Sequence, residues 1–341
     1  MVVSCRVRLA RNLEGYPFLS KLSDEDALEV CEQARKALCT AEVDGETWWI
    51  PMAAANPVLR LLLLERNLIS RDLVPSDDGS RVIAGRGVAF GRTETVSVMV
   101  NEEDHLRLQG MAAGFDLTLA WERAQSLDRF LEGHLAFAHT EKFGYLTGCP
   151  TNVGTGMRAS VMLHLPALGL VRSELEKVFT AAQRTGLAVR GLHGEGSRAA
   201  GDYYQISNQI TLGRTEQQLI EDLSELVPVI SDFERKVRDT LLQEHRTGLQ
   251  DRITRSYGVL RTARALPTDA ALAHLSNVRL GVHLGFLGDM SMEILNELGI
   301  QVHKGHIQAI ARADMQDEIL DASERDKLRA SHLRRRLADC G

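Results

Sequence analysis

The chain holds 341 residues with 40 Lys and Arg against 46 Asp and Glu, a formal net charge of −6. Apolar residues at 44% and charged residues at 25% describe a globular chain with a sizeable core, in one large domain or two ordinary ones, and exclude a disordered one. The mild acidity argues against nucleic-acid partners, and apolar runs such as 61–64 fall far short of the roughly 18 residues that cross a bilayer. The first residues, MVVSCRVRLAR, have no continuous apolar stretch of a signal peptide. Five cysteines without a Cys-x-x-Cys pair read as free thiols in a reducing cytoplasm, with no zinc ribbon.

Ser23, with Asp26 three residues on, predicts a helix over 24–39. Asn56-Pro57 opens a second helix, a cap followed by proline at the first helical position. Gly85, Gly87 and Gly91 suggest a hairpin, and Val96, Val98 and Val100 alternate as in a strand. A long helix is expected over 116–139, then a strand over 159–165 closed by Pro166. Ser173 and Glu176 suggest a capping box for a helix ending at Gly186. Short strands are expected over 187–192 and 203–212, and Thr215 with Gln218 caps a long helix containing Pro228. Almost everything after Gly248 reads as helix or loop. The expected fold class is therefore α+β, a mainly antiparallel sheet flanked by helices and then a helical part. A boundary is expected between Lys236 and Gly248, with domains taken as 1–237 and 238–341.

Walker, His-Glu-x-x-His and Gly-x-Ser-x-Gly motifs are absent. Gly154-Thr155-Gly156 with Ala159 formally fits a dinucleotide fingerprint, but a strand follows it where a phosphate-binding helix is needed. His303-Lys304-Gly305-His306 lacks a carboxylate partner and reads as a surface loop, so no protein-held metal is expected. The acidic run Glu102-Glu103-Asp104 and Glu195 among glycines each follow a predicted strand. Converging from separate strand ends, they suit a cationic substrate or general-base work. Arg6, Arg8, Arg107, Arg158 and Arg190 flank predicted strand ends. Each alone is more often a surface ion-pair partner, whereas together they could clamp a polyphosphate through forked hydrogen bonds. Cys149 opens a Pro/Gly/Thr loop where backbone N–H groups and Thr151 could stabilise a thiolate.

In this order the motifs SCRVRLARN (4–12), VNEEDHLR (100–107), GYLTGCPTNVGTGMRASVMLHLP (144–166), RGLHGEGS (190–197) and QISNQITLG (205–213) resemble the phosphagen (ATP:guanido) kinase superfamily. Within it, the chain is most similar to the bacterial protein-arginine kinases. The resemblance implies a cytoplasmic kinase using ATP, with Mg²⁺ held mainly by the nucleotide and water. It implies catalytic Glu103, Glu195 and Cys149, the glutamates bracketing a guanidinium and the cysteine touching it. It places ATP on Ser4, Cys5, Arg6, Val7 and Arg8, on Arg107, and on Arg158, Ala159, Ser160, Val161 and Met162. The last ATP segment is Arg190, Gly191, Leu192, His193, Gly194 and Glu195. Asn67 stands where the family usually has a histidine near adenine, and Cys5 and Gly148 replace serines.

Small-molecule guanidino kinases carry a helical domain before the first motif. Only Met1-Val2-Val3 precede it here, so a more open acceptor site is expected. In the helical part, RSYGVLRTAR (255–264) and NVRLGVHLGF (277–286) resemble the protein-arginine kinases. Arg325, Asp326, Lys327, Leu328, Arg329 and Ala330 match a motif that forms an allosteric phosphoarginine pocket there. The implied partners are proteins with exposed arginine, a small zinc-binding activator, a Clp ATPase/protease that degrades the marked proteins, and a second copy in a homodimer. Two alternatives stay open: a kinase of free arginine or another small guanidino compound, and a non-catalytic phosphoarginine-binding adaptor.

Overall fold

The computed structural model describes residues 1–41, 45–74, 83–191, 200–288, 290–312 and 318–338. β1 (Val2–Arg11) comes first. α1 (Asp24–Thr40) is capped by Ser23, whose side chain accepts from the Asp26 N–H. After β2 (Thr47–Pro51), Asn56 caps α2 (Pro57–Glu65). β3 (Gly87–Gly91) and β4 (Val96–Val100) make the expected hairpin, and a tight turn leads into β5 (Leu106–Ala113).

Asp116 caps α3 (Leu117–Glu132), but the helix stops at Gly133 instead of reaching His139. The residues beyond are drawn into extended pairing, with the Glu14 N–H donating to Ala136 and the Ala138 N–H to Asn12. They lead into the small hairpin of β6 (His139–Thr140) and β7 (Gly144–Tyr145). β8 (Met157–His164) and α4 (Pro166–Leu170) follow. α5 (Arg172–Arg184) lacks the predicted Ser173–Glu176 box, because Val171 is its N-cap and Ser173 already lies in the first turn.

β9 (Leu187–Gly191) precedes β10 (Tyr203–Asn208). The latter stops at Asn208, not at Leu212, because the Asn208 side chain takes over the ladder. Its Oδ1 accepts from the Ala159 N–H (2.8 Å) and its Nδ2 donates to the Met157 carbonyl (3.0 Å). α6 (Glu216–Glu244) opens with the predicted Thr215–Gln218 box and runs through Pro228 and past residue 237. The helical part continues with α7 (Arg246–Thr262), α8 (Thr268–His283), α9 (Met292–Gln301), α10 (Lys304–Ala311) and α11 (Ala322–Ala338).

Among the described residues the main sheet has eight strands in the order β2-β3-β4-β5-β1-β8-β10-β9, every neighbour antiparallel. Side chains alternate between its two faces. One face sends Cys5, Val7, Leu9, Leu106, Leu108, Ala159, Val161 and Ile206 into a core closed by α1, α3, α5 and α6. α3 crosses β5 so closely that a Cβ on Gly110 would lie 2.3 Å from the Ala120 carbonyl oxygen. The β2–β4 end of the other face is covered by α2 and the loop after it, through Leu63, Leu68, Val88 and Met99. What remains of that second face, from β5 to β9, carries polar side chains such as Arg8, Gln109, Arg158 and Gln205.

The helical part has its own core, including Leu260, Leu272, Val278, Leu298 and Leu333. It grips the sheet part at two points. His164 Nε2 meets Ser276 Oγ (2.8 Å), which donates to Asp202 (2.6 Å). Glu65, at the end of α2, accepts from the Gly305 N–H (2.8 Å), the His306 N–H (3.1 Å) and His306 Nδ1 (2.8 Å). The 303–306 segment, expected to be a surface loop, is therefore a cap and first helical turn whose free N–H groups hold a carboxylate.

Candidate active site

The strand register puts the five arginines on one face. Arg8 pairs directly with Arg158 across β1 and β8 and with Gln109 on β5, two residues from Arg107. Arg6 pairs with Ser160, and Arg190 pairs with Gln205, which lies opposite Met162. Direct cross-strand partners share a face, so Arg6, Arg8, Arg107, Arg158 and Arg190 form one cationic row. Gln205 accepts from Arg6 Nη2 at 3.3 Å.

The row is electrostatically frustrated. Burial, and then the Arg107 charge, pulls Arg6 down to about 10. Burial together with Arg6, Arg107 and Arg158 pulls Arg8 well below the usual arginine range. Arg158 is lowered by burial, Arg190 and Arg107, against the opposing pull of Cys149 and Glu103. The Nε atoms of Arg8 and Arg158 are buried without a hydrogen-bond partner. Crowded guanidinium groups with orphaned donors are what a polyphosphate would satisfy.

The carboxylates sit on the β4–β5 turn, where Asn101 takes a φ of 55° and its Nδ2 donates to the Ala27 (2.8 Å) and Gly85 (3.1 Å) carbonyls. Glu102 is buried, pairs with Arg107 Nη1 (2.7 Å) and accepts from the Glu103 N–H (2.8 Å) and Ser70 Oγ. Burial raises its pKa against the pull of Arg107. Glu103 is exposed and pairs with the other Arg107 nitrogen, Nη2. Asp104 is fully buried, and its Oδ1 accepts from Asn12 Nδ2 (2.6 Å) and the Gly148 N–H (2.6 Å). Burial raises the Asp104 pKa too, against those two hydrogen bonds. Asp104 thus fastens the Glu103 turn to the residue before Cys149, a role the sequence analysis did not assign.

Cys149 is half-buried, with its Sγ 3.0 Å from Thr151 Oγ1. A cavity of about 540 Å³ is lined by Arg8, Arg107, Arg158 and Arg190, by Glu103 and Cys149, and by Thr151, Asn152, Gln209 and Ile210 among others. Gln209 and Ile210 were not singled out from sequence, although they belong to the QISNQITLG motif.

Other expected nucleotide residues fall differently. Ser4, Ser160 and Met162 share the arginine face, whereas Cys5, Val7, Ala159 and Val161 point into the core beneath it. Asn67 is exposed with a φ of 59°, and its carbonyl accepts from Gln109 Nε2 (2.6 Å) on the arginine face. Gly191 ends β9, while Leu192, His193, Gly194 and Glu195 lie outside the described residues, as does Cys340. In α11, Arg329 is buried and donates to the Val302 (2.5 Å) and Leu266 (2.7 Å) carbonyls and to Asp326 (2.6 Å). Arg325 donates to the Leu320 carbonyl, Lys327 is exposed, Leu328 half-buried and Ala330 buried. Asp326 thus already holds a guanidinium, that of Arg329.

The chain matches the model of the ATP:guanido phosphotransferase C-terminal catalytic domain over residues 29–237 and that of the protein-arginine kinase McsB C-terminal domain over 246–341. Relatives named protein-arginine kinase include those of Shouchella clausii and Bacillus subtilis, both 41% identical over 99% of this chain and over 91% and 90% of theirs. That of Moorella thermoacetica is 42% identical over 99% of this chain and 94% of its own. A duplicated taurocyamine kinase from Schistosoma mansoni, solved with transition state analog components, superposes with a TM-score of 0.61 at 30% identity. That match covers 69% of this chain and 33% of the duplicated one, so the chain spans about a third of that protein. Lombricine kinase shares the fold, with a TM-score of 0.60 at 24% identity over 70% of this chain and 67% of its own. A family model covering more than half of the chain, and relatives this similar from end to end, place it: the chain belongs to the ATP:guanido phosphotransferase family, among the protein-arginine kinases.

Proposed function

We propose that this chain transfers the γ-phosphate of ATP to arginine side chains in proteins: ATP + L-arginyl-[protein] → ADP + Nω-phospho-L-arginyl-[protein]. The observation that carries the reading is the single cavity in which four of the five clustered arginines meet Glu103 and Cys149. The end-to-end likeness to enzymes named protein-arginine kinase supports the choice of acceptor.

An arginine guanidinium has a pKa near 13.8, so deprotonating it in advance at pH 7 would cost about 9 kcal/mol. The proton therefore leaves as the N–P bond forms, to Glu103 or Glu195. Glu103 already faces a guanidinium, that of Arg107, and an acceptor arginine would meet the same carboxylate. The Cys149 sulfur orients the acceptor group, and the arginine row binds the phosphates and holds them in line. Magnesium would neutralise charge on the transferring phosphoryl group. The family resemblance has that ion held mainly by nucleotide and water.

The family resemblance supports the wider reading. It has residues 1–237 as the catalytic domain and 238–341 as a helical domain that dimerises and binds phosphoarginine on α11. It also has a small zinc-binding activator and delivery of the marked proteins to a Clp-type protease. Titrating phosphoarginine into Arg325→Ala should show weakened binding with ATP affinity unchanged, and equal binding would remove the α11 site. The catalytic reading is tested by incubation with ATP and either casein or free arginine. Acid-labile phosphate on casein is expected. Product on free arginine alone would make this a small-molecule kinase, and product on neither would leave a phosphoarginine-binding adaptor.

A further inference from the structure

Beyond β10 one buried residue is flanked by exposed ones. Thr211 is buried, its hydroxyl lying between the carbonyls of Thr151 (2.9 Å) and Val153 (2.7 Å). Its neighbours face the other way, so Ile210 is 60% and Leu212 50% exposed. Single exposed aliphatic residues need no explanation, but adjoining ones do. A third lies close by. Gly154 has a φ of 112°, and a Cβ there would fall 2.8 Å from Leu212 Cα; a Cβ on Gly144 would fall 2.5 Å from the Gly154 carbonyl oxygen. Three backbone segments thus abut at glycines, and the outermost carries Phe143, 43% exposed. The anchored Thr211 keeps this edge from collapsing into the core.

Ile210 also lines the cavity that holds Glu103 and Cys149. A polypeptide that sends an arginine side chain into that cavity must continue across its rim. We propose that Ile210, Leu212 and Phe143 form an apolar docking rim for the residues next to the acceptor arginine, selecting extended protein segments in which that arginine has large apolar neighbours. The chemistry favours this occupant on two counts. Apolar neighbours would cover the exposed aliphatic surface. Basic neighbours would be repelled by the row of Arg8, Arg107, Arg158 and Arg190, which share the same cavity. The inference rests on the protein-arginine kinase reading and deepens it, since a rim of this kind has no use for free arginine.

The test compares two peptides of equal length with the wild-type enzyme, one with Leu-Arg-Leu at its centre and one with Ser-Arg-Ser. KM should be about tenfold lower for the leucine peptide, the gain expected from covering roughly half of an aliphatic side chain. The Leu212→Ser/Phe143→Ser variant, at rim residues outside the cavity lining, should lose that preference through KM while kcat and the KM for ATP stay within about twofold. Equal KM values in the wild type, or a preference that survives the double variant, overturns the rim. The wild-type comparison decides the matter even if the double variant folds poorly. An enzyme that phosphorylates free arginine but neither peptide nor casein overturns the kinase reading and the rim together. Phosphorylation of casein with no peptide preference overturns the rim alone.

Discussion

Two sets of arginines, one on the sheet and one in α11, share a chemistry and differ in what surrounds them. On the sheet, burial and then the neighbouring guanidinium charges depress the proton affinity of Arg8 and Arg158, whose Nε atoms have no partners. In α11, burial also lowers the Arg329 pKa, but that guanidinium is spent on two carbonyls and on Asp326. The first arrangement stores binding capacity for an anion; the second ties α11 to the ends of α9 and to the loop before α8. An arginine motif in a sequence does not say which of the two it encodes. The partners within reach decide it.

The largest effect should come from the sheet. Arg158→Ala should lower phosphoryl transfer about a thousandfold, as loss of a phosphate-clamping arginine does, and Arg158→Lys should still be impaired because it loses the fork. Thermal stability should not fall in either, since relieving like charges offsets the lost packing. A near-normal rate in the lysine variant would break the contrast. Next, Arg329→Ala should cost about 3 kcal/mol of unfolding free energy, because it strands Asp326 and two carbonyls. A urea titration showing less than about 1 kcal/mol would move Arg329 into the same class as the sheet arginines.

A smaller effect concerns a buried histidine. Burial, followed by the Arg279 charge, holds His164 well below its ordinary pKa. Its folded value lies below the unfolded one, so its contribution is present above about pH 6.5 and is lost as pH falls. Between pH 7 and pH 5 the wild type should lose about 2 kcal/mol on this account, and His164→Gln should lose correspondingly less. Equal losses in urea titrations at the two pH values would show that His164 already carries a proton in the folded state. The smallest effect is at Asp104. Asp104→Asn keeps an Oδ1 for Asn12 and Gly148 and should stay within about threefold of wild-type kcat, whereas Asp104→Ala should fall about tenfold through a looser Cys149. Equal rates in the two variants would mean Asp104 does not position the Cys149 loop.

Where a local rule sufficed, the sequence was readable. Ser23, Asn56, Asp116 and Thr215 cap helices through side chains in contact with the next turn. The five arginines were legible as a motif, and period-two alternation carries them to one face once the strands pair. What was not legible depends on distant partners. Asp104 acts through Asn12 and Gly148, remote in the chain. α3 ends early because 136–138 pair beside β1, and Ser173 loses its cap role because α4 ends directly before α5. Val96–Val100 alternates as a one-sided strand yet is buried throughout, because α2 and its loop cover Met99 and the Leu68 carbonyl accepts from Ser97. Gln209 and Ile210 line the cavity because β10 ends at Asn208, short of the predicted Leu212.

The most direct test of the central claim is the transfer of γ-phosphate from ATP to casein by the wild type and by Glu103→Gln, measured side by side as acid-labile, alkali-stable phosphate. The wild type should form it, and the variant should form at least about a hundredfold less while binding ADP as tightly, because Glu103 acts on the acceptor and not on the nucleotide. Acid-stable phosphate on casein, or equal rates in the two proteins, would contradict the account.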